Sequence, residues 1–387
     1  MDDLFYWLAL HQAPGIGPAA FHLLLSHYSS LQELFESPAS LTNTPLSPAK
    51  QNSLADYLQA ADWRKVDEAL QWKEMDGNHI LTNKHPAYPE LLKQIDQPPA
   101  LLYVKGQYQL LSEVQLAMVG SRTPTIDGQE TAFDFARHLA AQGMVITSGM
   151  ALGIDAQSHK GALAAKGKSI AVTGTGLDRI YPARNKDLAY QLAEQGAIVS
   201  EYPLGTGPAA GNFPQRNRII SGLAVGTLVV EAALKSGSLI TARQALEQAR
   251  EVFAIPGSIH NPLSRGCHRL IKEGAKLVEK ADDILEELAS LMLASQLSKT
   301  TISETQASEI SSQKAATPAN QVTIDPLLPK VQQDILKYIG FTPVSVDHLA
   351  ERTTLEIAEL SANLVLLEVN DYIQSHPGGC YALKNAK

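Results

Sequence analysis

The chain has 387 residues, 44% of them hydrophobic and 19% charged, which describes a globular protein too long for one typical core and predicts two or three domains. It contains no apolar run of about 18 residues, so no membrane span is expected, and its start, Met1-Asp2-Asp3, is acidic where a secretory signal is basic. A cytoplasmic protein follows from this, and a net charge of −8 argues against one that coats DNA along its whole surface.

Residues 1–65 read as an all-helical module. Pro14-Gly15-Ile16-Gly17-Pro18 separates helical patterns over 4–11 and 19–27, the layout of a helix-hairpin-helix or SAM-like unit. The Gly-rich turn of such a unit can hold a phosphate on backbone N–H groups. Yet the first Lys is Lys50 and the first Arg is Arg64, so the clamp would lack its electrostatic driving force. A structural or protein-contact role is the preferred reading. The second domain spans 66–290. It begins with a connector that turns at His85-Pro86-Ala87-Tyr88-Pro89, because Pro fixes φ and disfavours helix before it, and ends in a strand over 100–105.

From about 114 to 288, apolar strands alternate with helices. Strands are expected at 115–119, 144–147, 169–173, 197–200, 227–230 and 252–255, with helices such as 129–141, 155–165 and 186–195 between them. Continuous apolar strands at this spacing predict an α/β fold, a Rossmann-like doubly wound parallel sheet. Ligands in such sheets bind beyond the strand C-termini. There the sequence places Gly120-Ser121-Arg122, then Ser148-Gly149-Met150-Ala151-Leu152-Gly153-Ile154-Asp155. Gly174-Thr175-Gly176 and Tyr181-Pro182-Ala183-Arg184-Asn185-Lys186 follow the third strand. Phe213 and Pro214 open a helix whose first turn carries Arg216, Asn217 and Arg218. The fifth strand leads to Glu231 and to Lys235-Ser236-Gly237-Ser238, with Ser238 as the expected cap of the next helix.

Small residues, hydroxyls, helix N-termini and basic side chains together suit phosphates. The charge distribution agrees: Ser112–Lys280 holds 18 Lys and Arg against 14 Asp and Glu, a balance of +4 that leaves −12 to the flanks. Aromatic residues on the rim are few (Tyr181, Tyr202 and Phe213), and Phe213 reads more readily as a core anchor than as a stacking platform. Neither G-x-G-x-x-G nor a Walker A sequence is present, so no ATP, dinucleotide or other cofactor is expected. His159, His260 and His268 share no ligand spacing, and Cys267 and Cys380 form neither a metal nor a disulfide pattern.

A flexible linker is expected over 291–325, where Ser, Thr, Ala and Gln dominate without hydrophobic period. Residues 326–387 then read as three helices, 327–339, 346–352 and 354–369, and a hairpin of 372–375 and 380–383, a winged-helix-like unit. Its third helix carries Glu356, Glu359 and Glu368, and no Lys or Arg occurs between Arg352 and Lys384. Protein contact or regulation therefore suits this unit better than reading a DNA groove.

The rim segments together resemble the DNA-processing protein A (DprA, or Smf) family. The resemblance rests on Gly120-Ser121-Arg122, the 148–155 loop, the run from Phe213 to Leu223, Ser236-Gly237-Ser238-Leu239-Ile240-Thr241-Ala242, Ile255-Pro256-Gly257-Ser258 and 266–275. It covers the whole central domain, and both flanking modules resemble those of full-length members. It implies an extended Rossmann fold, not an enzyme, binding single-stranded DNA at the basic rim. It also implies a homodimer that protects incoming DNA and loads the RecA recombinase during natural transformation. By position, Arg122 matches the DNA-contacting Arg of the family's Gly-Ser-Arg turn. Arg184, Lys186 and Arg216-Asn217-Arg218 fall on its basic rim, with Gly120, Ser121, Ser148, Gly149, Asn185, Phe213, Lys235, Ser236, Gly237 and Ser238 completing the expected site. Dimer and recombinase contacts are expected away from the rim, around 244–280.

An enzyme is the alternative. The same topology hosts phosphoribohydrolase-like nucleotide-processing enzymes with a Gly-Gly-x-Gly-Thr-x-x-Glu loop. Here Ala224-Val225-Gly226-Thr227-Leu228-Val229-Val230-Glu231 keeps the Gly-Thr and, one residue late, the Glu. Asp155 and Glu231 form a conceivable acid–base pair. The preferred reading makes Asp155 a helix cap and Glu231 the partner of a rim Arg.

Overall fold

The computed structural model describes residues 3–289, 328–339, 344–353, 355, 357–370, 372–376 and 380–383. The chain divides into two compact units, 1–305 and 306–387. The linker expected over 291–325 and the hairpin turn at 377–379 lie outside the described residues.

Five helices open the first unit: α1 (Asp3–His11), α2 (Pro18–His27), α3 (Leu31–Glu36), α4 (Pro48–Ala60) and α5 (Arg64–Lys73). Every residue from Phe5 to Leu10 is buried, so α1 runs through the middle of this module rather than along its surface. Trp7, Phe21, Leu54 and Trp72 pack there with Ile80, Leu101 and Tyr103, which belong to the sheet. The helices and the sheet edge thus share one core.

Nine strands follow: β1 (Asn78–Thr82), β2 (Leu101–Gly106), β3 (Gln115–Val119), β4 (Val145–Gly149), β5 (Ser169–Val172), β6 (Ala197–Ser200), β7 (Gly226–Val229), β8 (Glu251–Ala254) and β9 (Lys276–Leu277). They make one sheet in the order β1-β2-β6-β5-β4-β3-β7-β8-β9. All pairings from β6 across to β9 are parallel, and β2 runs antiparallel to both β6 and β1. The doubly wound sheet is as expected, but the connector is not merely a connector. Its predicted strand joins the sheet as β2, and the unpredicted β1 pairs beyond it, Ile80 opposite Tyr103.

Every residue of β3 to β7 is buried, which is why these strands are largely apolar and carry no charged side chain. Between β1 and β2 lies a short α6 (Glu90–Lys93). The connecting helices are α7 (Ile126–Ala141), α8 (Ile154–Ala164), α9 (Lys186–Gln195), α10 (Asn212–Leu223), α11 (Ser238–Glu247), α12 (Arg265–Lys272) and a final α13 over 281–289. One core joins Ile219, Leu239 and Cys267 to Val119 and Val229; another joins Phe135, Leu139 and Ile284 to Met118 and Leu228.

In the second unit, α14 (Lys330–Tyr338), α15 (Val346–Thr353) and α16 (Ile357–Val369) surround Ile335, Leu349, Leu360 and Leu364. A three-stranded sheet of β10 (Val344–Ser345), β12 (Cys380–Leu383) and β11 (Ile373–His376), in that order, completes the winged-helix arrangement.

Candidate nucleic-acid interface

β3 and β7 are neighbours in the sheet but are separated in the chain by β4 to β6. Connections diverge at such a switch point and leave a crevice beyond the strand C-termini. The turn after β3 (Gly120-Ser121-Arg122), the segment after β7 (Lys235-Ser236-Gly237-Ser238) and the first turn of α10 meet around it. They enclose a cavity of about 670 Å³.

Its floor is built from two opposite charges. Arg216 lies buried on α10, where Nη1 donates to the Val172 carbonyl at the end of β5. Asp155, in the first turn of α8, is buried beside it and accepts from the Ala151 N–H at 3.3 Å. Burial raises the Asp155 carboxyl above its ordinary value, opposed by the Arg216 charge, and burial likewise lowers the Arg216 guanidinium, opposed by Asp155. Arg216 Nε is buried and has no partner among the described residues. Gly149 makes room for this pair, since a Cβ there would sit 2.5 Å from Asp155 Oδ2 and 2.8 Å from Arg216 Nη2. Gly153 turns the loop into α8 at φ +80, pressed against the Ser121 carbonyl.

Arg122 is exposed on the wall above, its guanidinium carbon 5.8 Å from the centre of the Phe213 ring. Phe213 also meets Tyr181, ring centres 5.7 Å apart and planes 34° apart. Phe213 is half-buried and does not anchor α10, correcting the core reading; Ile219, Ile220 and Leu223 hold that helix to the sheet. This shelf borders a second cavity of about 200 Å³, lined by Arg122, Met150, Thr175, Tyr181, Phe213 and Arg216. The Thr175 hydroxyl is buried there without a partner among the described residues.

Gly120, Ser121, Arg122, Phe213, Arg216, Asn217 and Lys235 to Ser238 thus all line the larger cavity. Other expected site residues do not. Ser148 is buried, and its hydroxyl donates to the Met118 carbonyl at 2.5 Å, so it braces β4 against β3. Asn185 is buried as well and donates to the Met150 and Ala151 carbonyls at 2.9 and 3.1 Å, which fixes the loop rather than a ligand. Arg218 leaves the cavity, forking onto Glu201 at 2.5 and 2.8 Å and donating to the Gln97 carbonyl at 3.0 Å. Arg184 is exposed just before α9, outside both cavities, and Lys186 faces a third cavity on the β5–β6 side of the sheet.

Two local details also differ from expectation. Gly237 precedes α11 in the cap position, and the capping contact comes from Ser236, whose hydroxyl accepts from the Ser238 N–H at 3.3 Å. Glu231 pairs with no Arg among the described residues; it accepts from the Thr125 N–H and hydroxyl at 2.9 and 2.7 Å and from Asn261 at 3.3 Å. Both its oxygens are engaged at the start of α7, and Asp155 is the single carboxylate lining the cavity among the described residues. His159 is likewise structural, bonded to Ser169 Oγ and the Gly149 carbonyl, each at 2.7 Å.

Sequence reasoning did not single out Thr123, which lines both cavities, or the Thr175 hydroxyl as a site group. A residue following a strand inherits a place on the rim, but only tertiary contacts decide which hydroxyls stay unpaired. Comparison with known proteins matches this architecture. Residues 79–289 match the family described as DNA recombination-mediator protein A, and residues 314–379 match the DprA winged helix domain. The chain is 43% identical to Protein Smf of Escherichia coli over 84% of its length and 82% of the relative's. Among solved structures it resembles DNA processing protein A from Streptococcus pneumoniae, with TM-score 0.65 and 35% identity over 74% of this chain and 98% of that one. It also resembles DNA processing protein A from Helicobacter pylori, described for its single-stranded DNA binding mode. That likeness has TM-score 0.51 and 31% identity and covers 55% of this chain and 96% of the other.

Proposed function

The chain belongs to the DNA recombination-mediator protein A family, and on that premise we propose that its rim cavity binds single-stranded DNA. The strand is protected there and passed to a RecA-type recombinase in the cytoplasm during natural transformation, by a homodimer. The observation that carries this reading is the switch-point cavity itself. Arg122 and Lys235, both solvent-facing, surround a buried Arg216, and a half-buried Phe213 offers a ring edge beside them. Phosphates on the cations and bases against the ring suit a flexible single strand better than a rigid duplex. Weak sequence preference follows, because cations and hydroxyls of this kind hold phosphates and sugars, which carry no sequence information.

A nucleotide-cleaving reading finds less support, since the Asp155 carboxylate is buried beside the Arg216 charge and accepts from the Ala151 N–H, and Glu231 is held by Thr125 and Asn261. The winged-helix unit meets protein rather than DNA: α16 exposes Glu359, Val365 and Leu366 and contains no Lys or Arg.

The test is Arg122→Ala, measured by oligo-dT binding across a salt series. Affinity should fall and the log–log salt slope should flatten by about 0.7 for each phosphate that Arg122 no longer neutralises. Arg122→Lys should restore only part, lacking the planar fork. A folded Arg122→Ala protein with unchanged affinity and slope would refute contact at this residue.

A further inference from the structure

A third cavity, of about 380 Å³, opens at the β5–β6 side of the sheet, between α9 and the loop that carries Tyr181. It shares Met150, Thr173 and Tyr181 with the cavity beside the Phe213 shelf, so the two adjoin with Tyr181 as common wall. Its floor is apolar (Leu177, Ile180, Ala189 and Ile198) and its rim is cationic. Lys105 reaches it from β2 and Lys186 from α9, and neither has an ion-pair partner among the described residues. The one acid lining it among the described residues, Asp178, is already engaged, binding Arg179 at 3.0 Å and accepting from the Gly205 N–H at 2.9 Å. Tyr190 stands 55% exposed at the edge, one helical turn from Lys186, whose Nζ lies 5.8 Å from the ring centre.

We infer that this cavity is a second nucleotide subsite, which takes a further unit of the strand held at the Arg122–Phe213 site. The inference rests on the single-stranded DNA reading of that site. Its chemistry is distinct in kind: a flat aromatic edge, an apolar floor and two unpaired ammonium groups fit a base with its phosphate. A purely apolar ligand would leave Lys105 and Lys186 unused, and a neutral sugar would offer the two ammonium groups no anion. Tyr181 is 46% exposed and borders both cavities, so a strand whose base lies against Phe213 crosses Tyr181 to enter the next one.

The experiment titrates the full-length chain with oligo-dT of graded length, all too short to reach a second protomer. Wild type should gain affinity with length as the second cavity fills. Tyr190→Ala and Lys105→Gln should each remove that gain, about tenfold for a lost base stack, while the shortest oligonucleotide that binds keeps its affinity. Lys105→Arg should restore the gain. Thermal melting checks that each variant is folded. An undiminished length-dependent gain in both variants overturns the inference, and if Arg122→Ala still lowers affinity and flattens the salt slope in that case, the single-stranded DNA reading stands without it. Equal loss at every length also overturns it, because the cavity would then be part of the first site. The free nucleotide dTMP provides the other arm. If it quenches tyrosine emission in wild type but not in Tyr190→Ala while the length gain is intact, the cavity takes free nucleotide and the strand assignment falls.

Discussion

Arg122 and Arg216 face one cavity with the same charge, and their surroundings divide the work between them. Arg122 is exposed and stacked over Phe213, so it is available to a ligand; Arg216 is buried against Asp155 and the Val172 carbonyl and shapes the floor. Beneath them His159 ties the Gly149 carbonyl to Ser169, and burial lowers its imidazole to about 4. The folded chain therefore keeps this ring neutral where the unfolded chain, with an ordinary value of 6.5, takes up a proton. The stability involved is complete above 6.5 and is lost as pH falls toward 4, because the unfolded state binds more protons across that window. Between about pH 7 and pH 5 wild type should lose about 2 kcal/mol more than His159→Gln, from one and a half pH units at ~1.4 kcal/mol each. Urea unfolding at both values measures it. Parallel pH dependences in the two proteins would show that His159 titrates normally.

At the scale of elements, the end of β4 matters most, because Gly149 is where strand, floor and His159 meet. Gly149→Ala places a methyl group against Asp155 and Arg216, both held by other contacts, so they must shift. About 1–3 kcal/mol of stability should be lost, as for other overpacked cores, with a drop in oligo-dT affinity as the floor moves. A variant that melts and binds like wild type would mean that the floor is pliable.

The sheet was legible because strands buried on both faces are mostly apolar, and β3 and β6 fall where their runs do. β1 escaped notice because five residues with a mixed pattern carry little signal. The site was legible as segments rather than as side chains. Arg216 and Arg218 are two apart on α10, about 200° around the helix, so one enters the cavity and the other turns to Glu201. Phe213, three residues before Arg216, shares its face, a spacing that places the ring at the cavity instead of in the core. Asn185 looked like a rim ligand for want of the Met150 and Ala151 carbonyls that it holds, contacts that no local pattern contains.

For the whole molecule, the helical module is joined to the sheet rather than appended to it. Trp72 of α5 and Trp7 of α1 pack in the core that holds Leu101 and Tyr103, which extends the sheet-bearing body well before residue 66. This end of the sheet is covered, whereas β9 at the opposite end is a two-residue edge strand with Leu277 44% exposed. Among the described residues no further strand pairs with β9, and an edge bearing an exposed apolar side chain is a natural place for a second copy to pair. It also lies at the far end of the strand order from β1, while the cavity sits at β3 and β7, so pairing there leaves both rims open. Leu277→Asp should therefore convert the proposed dimer to a monomer by light scattering, with affinity for short oligo-dT almost unchanged. Affinity for strands long enough to span two protomers should fall, because the second site then loses its effective concentration, an advantage commonly of order 10²–10⁴ when geometry allows both to engage. Equal loss on short and long strands would mean that the edge and the cavity are one site. An unaltered oligomeric state would move the dimer axis away from β9.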